Sequence, residues 1–443
     1  MLAEASAAAA QPRLPSDDLT GVDFVTIDPP GSTDLDQAMC LTERGTGYRV
    51  QYAIADVAAF VTPGGAIDLE AHRRGETLYA PDVRTPLHPP VLSEGAASLL
   101  PDQVRPALVW TLELDATGEL QSTEVRRAMV RSRQRLDYAG VQADIDAGGG
   151  LQLLKRVGEL RQERARARGA IELPTPEQEV ADGATPTISY RAPLPSEGWN
   201  AQISLLTGIA AARLMLDGGV GLLRTLPPPE SGAVDSLRRS ALALGVPWPD
   251  GAAYADVISG LDPGRPADAA LLSLATRLLR GAAYTAFDGA PPEQPLHSAV
   301  ASVYAHCTAP LRRLADRYVG EVCLALCAGA DVPPWARTAL PVLPEQMAAA
   351  DGKARALDRA VVDLAEAIVL EHRVGETFDG VVTEAGGKGG VVQLTAPAVR
   401  GHLDGENLPL GRHVPVVLVQ ADPVARQVRF RLSAPVRLAD WRA

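Results

Sequence analysis

Three carboxylates and an amide lie within ten positions near the start of the chain, directly after the apolar run Phe24–Ile27; they are Asp28, Asp34, Asp36 and Gln37. Carboxylates held close together repel one another unless a cation offsets their charge. Oxygen ligands without cysteine or histidine favour Mg²⁺ or Mn²⁺ over Zn²⁺. On an extended segment Asp34 and Asp36 would point the same way, and Asp28 would approach from across a Pro-Gly turn. We predict a metal site here, with an acidic surface turn as the alternative.

A second group of chemically useful residues lies far downstream, in the segment 304–317. Pro310 predicts the start of a helix, and Arg312 and Arg313 would then place two guanidinium groups at its N-terminus. A guanidinium group binds a phosphate through two parallel hydrogen bonds. The alternative is a capped surface helix in which one of these arginines pairs with Asp316. Together with the acidic cluster, the arginines favour phosphoryl transfer, in which metal ions activate water and an arginine stabilises the transition-state charge.

The size and charge of the chain limit the class of protein. At 443 residues the chain is long enough for two or three domains, and its net charge of −12 argues against nonspecific coating of nucleic acid. No apolar run approaches the roughly 20 residues that span a bilayer, and the alanine-rich start lacks a basic segment, so we expect a cytoplasmic protein without a membrane partner. Four scattered cysteines exclude a disulfide framework. Cys323 and Cys327 are interpreted as buried helix thiols, with a shared ligand as the alternative.

The pattern of apolar residues predicts the secondary structure. Residues 1–20 have no periodicity and are predicted to form a flexible tail. Short β-rich runs between 22 and about 125 predict a mainly antiparallel sheet: 48–54, 58–61 and 108–114. Helical patterns follow at four places: 151–168, 203–216, 269–283 and 345–371. The arginines of the first of these helices would line a path for a polyanion or, equally, form a solvated face paired with glutamates.

The segment from 374 to about 433 has a different character. Five short alternating strands with glycines at the corners predict a small OB-type barrel. From 374 onward the chain has eight Lys and Arg against seven Asp and Glu, so positive charge is concentrated there relative to the rest. Such barrels bind single strands through stacking and basic grooves, but they also serve as spacers. The glycine-rich stretch 386–390 lies between two strands and is predicted to be a hairpin tip, not a phosphate loop.

Four ordered motifs resemble the RNase II/RNase R exoribonucleases, the RNB domain family. Segment 24–38 resembles the metal-binding signature of that family, and 304–316 resembles its signature of tyrosine, histidine, threonine, proline and two arginines. The intermediate matches follow the family in order and spacing: 74–81 with 86–93 and 98–105, then 135–138 with 166–170. The resemblance implies an α+β fold, in which an RNB catalytic domain with a mixed sheet core and surrounding helices precedes a small all-β OB-fold barrel. The expected organisation is a tail at 1–20, the RNB domain at 21–332, a helical linker at 333–373 and an S1-type RNA-binding domain at 374–436.

The resemblance also implies roles for individual residues. Asp28, Asp34 and Asp36 would hold Mg²⁺, or Mn²⁺, and orient the attacking water, with Gln37 as a further oxygen ligand. Asp36 falls at the position that the family treats as most sensitive, and Arg312 would hold the scissile phosphate. The remaining expected residues would contact RNA: Tyr79 and Tyr138, which would stack on the 3′-terminal nucleotides, and Thr308, Arg313 and Arg168. The implied reaction is processive 3′ to 5′ hydrolysis of single-stranded RNA to nucleoside monophosphates. We expect a monomer.

The sequence also departs from the family pattern. The fourth aspartate of the family is Gln37 here, which keeps an oxygen but loses a charge. An acidic residue and an asparagine of the family appear as Gln202 and Gly208, and only about 20 residues precede the catalytic module, so we expect no paired N-terminal cold-shock barrels. These departures leave a catalytically weak or silent RNA-binding relative as the alternative hypothesis. A phosphodiesterase acting on small nucleotides is disfavoured, because no glycine-rich phosphate loop occurs.

Overall fold

The computed structural model describes residues 1–433 except 172, 174–176, 182–186 and 395. Its N-terminal third contains seven strands: β1 (Phe24–Ile27), β2 (Gln37–Arg44), β3 (Gly47–Ala55), β4 (Leu78–Tyr79), β5 (Arg84–Thr85), β6 (Val104–Leu114) and β7 (Leu120–Leu136). Five of these strands form a closed barrel in the order β1-β2-β3-β6-β7, and β4 and β5 form a separate hairpin. The predicted antiparallel sheet is therefore a barrel, in which one parallel pair, β1 with β7, accompanies four antiparallel pairs.

Alternating apolar residues of these strands belong to one hydrophobic core. Val50, Tyr52 and Ile54 of β3 are buried, as are Trp110 and Leu112 of β6. Two adjacent antiparallel strands present these side chains to one another, so that their burial favours a single register. The predicted strand at 58–61 is wrong, because Val57–Ala59 form one turn of 3₁₀ helix that follows directly after β3.

Eleven helices surround the sheets within the described residues: α1 (Leu2–Ala10), α2 (Ala66–Arg74), α3 (Tyr138–Asp146), α4 (Gln152–Ala167), α5 (Pro195–Gly218), α6 (Ser231–Leu244), α7 (Tyr254–Ser259), α8 (Pro266–Ala275), α9 (Leu314–Cys327), α10 (Pro334–Ala339) and α11 (Leu343–Leu370). None of these helices combines the length and apolar character needed to cross a bilayer. Three predicted helices correspond to α4, α5 and α11. The fourth is shorter than predicted, because the chain leaves helical geometry after Leu279 and enters a strand at Ala283.

The N-terminal segment contains a packed helix where a flexible tail is predicted. Ala5 of α1 is fully buried, and the Glu4 carboxylate accepts a hydrogen bond of 2.9 Å from the Ala66 amide at the start of α2. A carboxylate stabilises a helix N-terminus because it satisfies an unpaired amide and opposes the helix dipole. The alanine-rich sequence has high helix propensity, but its periodicity is too weak to reveal this packing.

The long helix α5 contributes many buried residues to the core. Its residues Ile203, Leu206 and Ile209 are buried, and so are Thr207 and Gly208. A Cβ atom on Gly208 would lie 2.2 Å from the Tyr304 ring, so glycine permits the segment before α9 to approach the helix closely. Because Ala305 N–H donates to the Gly208 carbonyl at 3.1 Å, this approach ties the downstream motif to the helix.

The remaining strands form short hairpins and a second barrel: β8 (Glu177–Ala181), β9 (Thr187–Arg191), β10 (Val220–Thr225), β11 (Ala283–Asp288), β12 (Leu296–His297), β13 (Ser302–Val303), β14 (Thr377–Gly386), β15 (Gly389–Leu394), β16 (Arg400–Asp404), β17 (His413–Asp422) and β18 (Gln427–Leu432). The last five close into a barrel in the order β14-β15-β16-β18-β17. This confirms the predicted five-stranded OB-type barrel and the α+β class. Gly387 and Lys388 form the tip of the β14–β15 hairpin, as predicted.

Candidate active site

The acidic segment begins where the parallel strands of the first barrel end. Asp28 follows β1 directly, and its amide donates to the Leu136 carbonyl at 3.1 Å. Burial raises the pKa of the Asp28 carboxyl to about 6; the positive charge of Arg312 opposes this shift, and the negative charge of Asp34 adds to it. Charged residues of both sequence motifs therefore lie close enough to Asp28 to change its pKa.

Asp36 connects the acidic segment to the downstream motif. Its carboxylate is 2 % exposed, and Oδ1 accepts a hydrogen bond of 2.7 Å from the Leu311 amide. Asp36 Oδ2 lies 3.4 Å from Nε of Arg312. Burial raises the pKa of Asp36 to about 7, although Arg312 and the hydrogen bond from Leu311 favour the charged form. Two motifs that are far apart in the sequence thus meet at one buried carboxylate.

Asp34 has different partners from Asp36. Its Oδ1 lies 2.7 Å from Nη1 of Arg84, and its Oδ2 accepts a hydrogen bond of 3.0 Å from the Tyr79 hydroxyl. Tyr79 and Arg84 are paired residues of the β4–β5 hairpin. Residues 28–36 contain no strand, and Asp34 and Asp36 contact different partners. The hairpin residues Tyr79 and Arg84 hold Asp34.

Gln37 acts as a hydrogen-bond donor. Its Nε2 donates to the Thr308 carbonyl at 2.6 Å, and the Thr308 hydroxyl lies 2.8 Å from that of Ser204 on α5. An aspartate at this position has no N–H group to donate. Gln37 therefore fastens the start of β2 to the downstream segment and fixes the position of Thr308 between β2 and α5.

The helix after the double arginine begins at Leu314, so the prediction that it begins at Pro310 is wrong. The physical reason is a turn in which the Ala309 carbonyl accepts hydrogen bonds from the amides of Arg312 (3.2 Å) and Arg313 (2.8 Å). Arg313 then adopts an extended conformation at the N-cap position, with φ of −132°. The two arginine side chains consequently point to different partners.

The Arg312 side chain faces the acidic cluster and is 43 % exposed, whereas that of Arg313 is 19 % exposed. Arg313 pairs with Asp316 through Nε to Oδ2 (3.0 Å) and Nη2 to Oδ1 (2.8 Å). Asp316 Oδ1 also accepts a hydrogen bond of 2.7 Å from the Ala309 amide. The alternative drawn from the sequence, an arginine paired with Asp316, therefore describes Arg313. The RNA contact expected of Arg313 stays a prediction.

Two tyrosines border the carboxylates. Tyr79 is 45 % exposed, and Tyr138 begins α3, where its hydroxyl lies 3.4 Å from Nδ2 of Asn200. Burial raises the pKa of both phenols; the charge of Asp34 acts in the same direction on Tyr79, as the charge of Asp28 does on Tyr138. The predicted catalytic residues and both predicted stacking residues thus surround one site at the end of the first barrel.

Family profiles match most of the chain. The RNB domain matches residues 16–327, which include every residue of this site. The chain belongs to the RNB family. A second profile, described as the RNase II-type exonuclease C-terminal S1 domain, matches residues 376–433, which correspond to the second barrel. The resemblance drawn from the four motifs is therefore confirmed, as is the type of the terminal barrel.

Relatives and solved structures agree with this assignment. Ribonuclease R of Vibrio cholerae is 28 % identical over 421 residues, which cover 88 % of this chain and 50 % of that protein. The structure of Mycoplasma genitalium RNase R in complex with ribose-methylated single-stranded RNA has a TM-score of 0.85 at 20 % identity, covering 94 % of this chain and 71 % of that one. Yeast Ssd1, a pseudonuclease, has a TM-score of 0.72 at 15 % identity, covering 93 % and 54 %. The chain spans about half the length of the curated relatives it matches.

Arg168 is the predicted RNA-binding residue that lies apart from this site. It ends α4, where burial lowers the pKa of its guanidinium. Its electrostatic neighbours are Glu119, Arg213 and Arg164, and none of these belongs to the acidic cluster. Arg213 lies on α5 nine residues beyond Ser204, which corresponds to about 13 Å along a helix. The expected RNA contact of Arg168 stays a prediction.

Sequence reasoning missed several residues that contact the site. Arg84 is the most informative of them, and a signal for it exists, since Pro81 and Asp82 predict a tight turn that would bring Arg84 opposite Tyr79. The others have no comparable local signal, because each reaches the site through tertiary packing: Ser204 beside Thr308, Asn200 beside Tyr138, and Arg135 near Asp28.

The donor chemistry of the site suits a hard cation. Asp28 and Asp36 are carboxylates whose burial raises their pKa, and a cation would offset that cost. Within the described ranges, however, no three side chains of His, Cys, Asp or Glu converge closely enough to hold a metal ion. Both oxygens of Asp34 contact the β4–β5 hairpin.

Proposed function

We propose that this chain is a 3′–5′ exoribonuclease that hydrolyses single-stranded RNA processively to nucleoside 5′-monophosphates. The observation that carries the proposal is the meeting of Asp36 and Arg312, at 3.4 Å, beside Asp28 and Asp34. Carboxylates next to a half-exposed guanidinium provide sites for a cation and for a phosphate at adjacent positions. Membership of the RNB family, and relatives named Ribonuclease R, support the same reaction class.

Asp28, Asp34 and Asp36 would hold Mg²⁺ or Mn²⁺, with Gln37 as the expected further oxygen ligand. When bound, such a cation lowers the pKa of water and neutralises charge on a phosphodiester. Arg312 would bind the scissile phosphate, because its side chain is exposed on the same side as the carboxylates. The Leu311 amide holds Asp36 in one orientation, which leaves Asp36 Oδ2 toward Arg312.

Two aromatic side chains would bind the 3′ end of the RNA. The ring of Tyr79 is exposed above Asp34, and Tyr138 lies on the Asp28 side of the cluster. Stacking on an aromatic ring is tolerant of base identity, which suits an enzyme that degrades any sequence. The terminal S1-type barrel would bind the incoming strand, and the complex of Mycoplasma genitalium RNase R with single-stranded RNA supports this class of ligand.

A second candidate function is RNA binding with little or no catalysis. Gln37 favours it, because an amide that donates to the Thr308 carbonyl replaces a carboxylate and removes one negative charge from the cluster. The fold accommodates such a protein, since yeast Ssd1 is described as a pseudonuclease. Capture of RNA 3′ ends would then be the function of the same site.

The test is to incubate the purified chain with a 5′-labelled single-stranded RNA in Mg²⁺ or Mn²⁺, with Asp36→Asn and Gln37→Asp as parallel variants. A ladder that shortens from the 3′ end, and is lost in Asp36→Asn and on chelation of the metal, is the expected result. Intact RNA that the protein retains would favour the binding function. In that case, Gln37→Asp should produce hydrolysis if the missing carboxylate is the cause.

A further inference from the structure

The β4–β5 hairpin places two side chains on Asp34. Tyr79 and Arg84 are directly opposite each other in the hairpin, so their side chains leave the same face. The hairpin is closed by a hydrogen bond of 2.9 Å from the Ala80 amide to the Val83 carbonyl. Because Tyr79 binds Oδ2 of Asp34 and Arg84 binds Oδ1, the hairpin engages the whole carboxylate.

Arg84 also joins Asp34 to a neighbouring element. Its Nη2 lies 2.8 Å from Oε1 of Glu94 and 3.1 Å from the Thr33 hydroxyl. Its side chain is 27 % exposed, and that of Asp34 is 13 % exposed, so water screens this pair only in part. The guanidinium is thus a cation placed on a carboxylate that the proposed function assigns to a metal ion.

A guanidinium and a divalent cation on one carboxylate repel each other, and a magnesium ligand must approach to about 2.1 Å. Asp34 can therefore bind a metal ion through Oδ1 only if Arg84 moves away. We propose that Arg84 is a positioning residue that competes with the divalent cation for Asp34, and that its guanidinium leaves Asp34 when the cation binds. This inference rests on the proposed metal-dependent function.

Calorimetric titration of Mn²⁺ into the full chain tests the competition. Arg84→Gln should bind Mn²⁺ about tenfold more tightly than the wild type, since it removes one partly buried ion pair that the metal must break. Arg84→Lys keeps the charge and should bind close to the wild-type value. In an Asp34→Asn background the gain from Arg84→Gln should disappear, because the shared carboxylate is gone.

Arg49→Gln provides the matched control. Arg49 pairs with Glu113 on adjacent barrel strands at an exposure of 31 %, close to that of Arg84. Ile54 is the residue of β3 that pairs with Gln37. Arg49 lies five residues before Ile54, and five residues of a strand span about 17 Å. This variant removes the same charge at a position away from the acidic cluster, so its Mn²⁺ affinity should equal that of the wild type.

Equal or weaker Mn²⁺ binding by Arg84→Gln in a folded protein would overturn the inference. If the wild type binds Mn²⁺ and degrades RNA in such an experiment, only the role of Arg84 fails. If no variant binds Mn²⁺, the metal-dependent function fails with it.

Discussion

The chain contains two closed five-stranded barrels, and each is closed by one parallel pair of strands, β1 with β7 in the first and β16 with β18 in the second. Asp28 and Asp36 lie at the end of the β1–β7 pair, and burial raises the pKa of both carboxyl groups. Exposed basic side chains lie beside the β16–β18 pair. One of them, Arg429, pairs with Asp404 at 2.7 Å. The two barrels thus place charged side chains in different environments, desolvated in the first and hydrated in the second, and charges interact more strongly where water is excluded.

The largest expected effect tests the desolvated site. Arg312→Ala should lower RNA hydrolysis about a thousandfold, because a guanidinium next to a buried carboxylate stabilises transition-state charge without reorganising. The variant should remain folded, since the Leu311 amide still holds Asp36. Steady-state hydrolysis and thermal unfolding measure the two quantities. A variant with wild-type turnover would show that this end of the barrel is not the hydrolytic site.

Arg313 should behave in the opposite manner to its neighbour. Arg313→Met should lower the free energy of unfolding by about 3 to 5 kcal/mol, because Asp316 is 1 % exposed and would keep a buried charge without its partner. Urea unfolding measures this loss, and adding Asp316→Asn should restore part of it. If Arg313→Met were as stable as the wild type but bound RNA poorly, the assignment of Arg313 to the interior would be wrong.

Glu366 is the buried carboxylate of the second region, and it sharpens the comparison. It lies on α11 against the barrel, where Oε1 accepts hydrogen bonds from the Arg400 amide (2.7 Å) and Gln178 Nε2 (2.8 Å). Burial raises its pKa to about 7. The folded chain therefore retains a proton that the unfolded chain loses above about pH 4.3, so the free energy of unfolding falls as pH rises toward 7.

Glu366→Gln keeps the oxygen acceptor and removes the ionisation. We expect it to stabilise the protein by about 1 to 2 kcal/mol at pH 8 and by little at pH 4.5, where the wild-type carboxyl is already protonated in the fold. Urea unfolding of both proteins at these two pH values measures the difference. Equal effects at both values would mean that Glu366 ionises in the fold as readily as in the unfolded chain.

The smallest effect is expected from the hydrated charges. Arg426 is exposed in the turn between β17 and β18. Arg426→Gln should weaken binding of single-stranded RNA only a few-fold and lower the slope of log affinity against log salt by about 1, as for one phosphate contact. Titration of labelled RNA at several salt concentrations measures both, with Arg49→Gln as the control. A hundredfold loss would instead make this barrel the main RNA anchor and would weaken the distinction between the two regions.

The sequence identified residues that lie together in the candidate site, but it did not predict their geometry. Asp28, Asp34, Asp36 and Arg312 were identifiable because residue types and local spacing carry the chemical information. The alternating strands of the second barrel were identifiable because their period of two residues is local. Each of these features depends on neighbours within about ten residues in the sequence.

The remaining features depend on contacts between distant parts of the chain. The contact of Asp36 with the Leu311 amide joins residues separated by 275 positions, and no local pattern encodes it. The late start of α9 follows from hydrogen bonds to the Ala309 carbonyl, which override the preference of proline for a helix start. Arg313 and Arg168 illustrate the same limit, because residue type alone does not distinguish an arginine that binds RNA from one that pairs inside the protein.

The most direct test of the central claim is the fate of the last nucleotide of a 3′-labelled single-stranded RNA, measured with wild type and Asp36→Asn in Mg²⁺ or Mn²⁺. Asp36→Asn keeps an oxygen for the Leu311 amide but removes the buried charge, so it should bind the RNA without cleaving it. We expect the wild type to release the label first, as a nucleoside 5′-monophosphate. Internal cleavage by the wild type, or release at an equal rate by Asp36→Asn, would contradict a hydrolytic site built from the acidic cluster and Arg312.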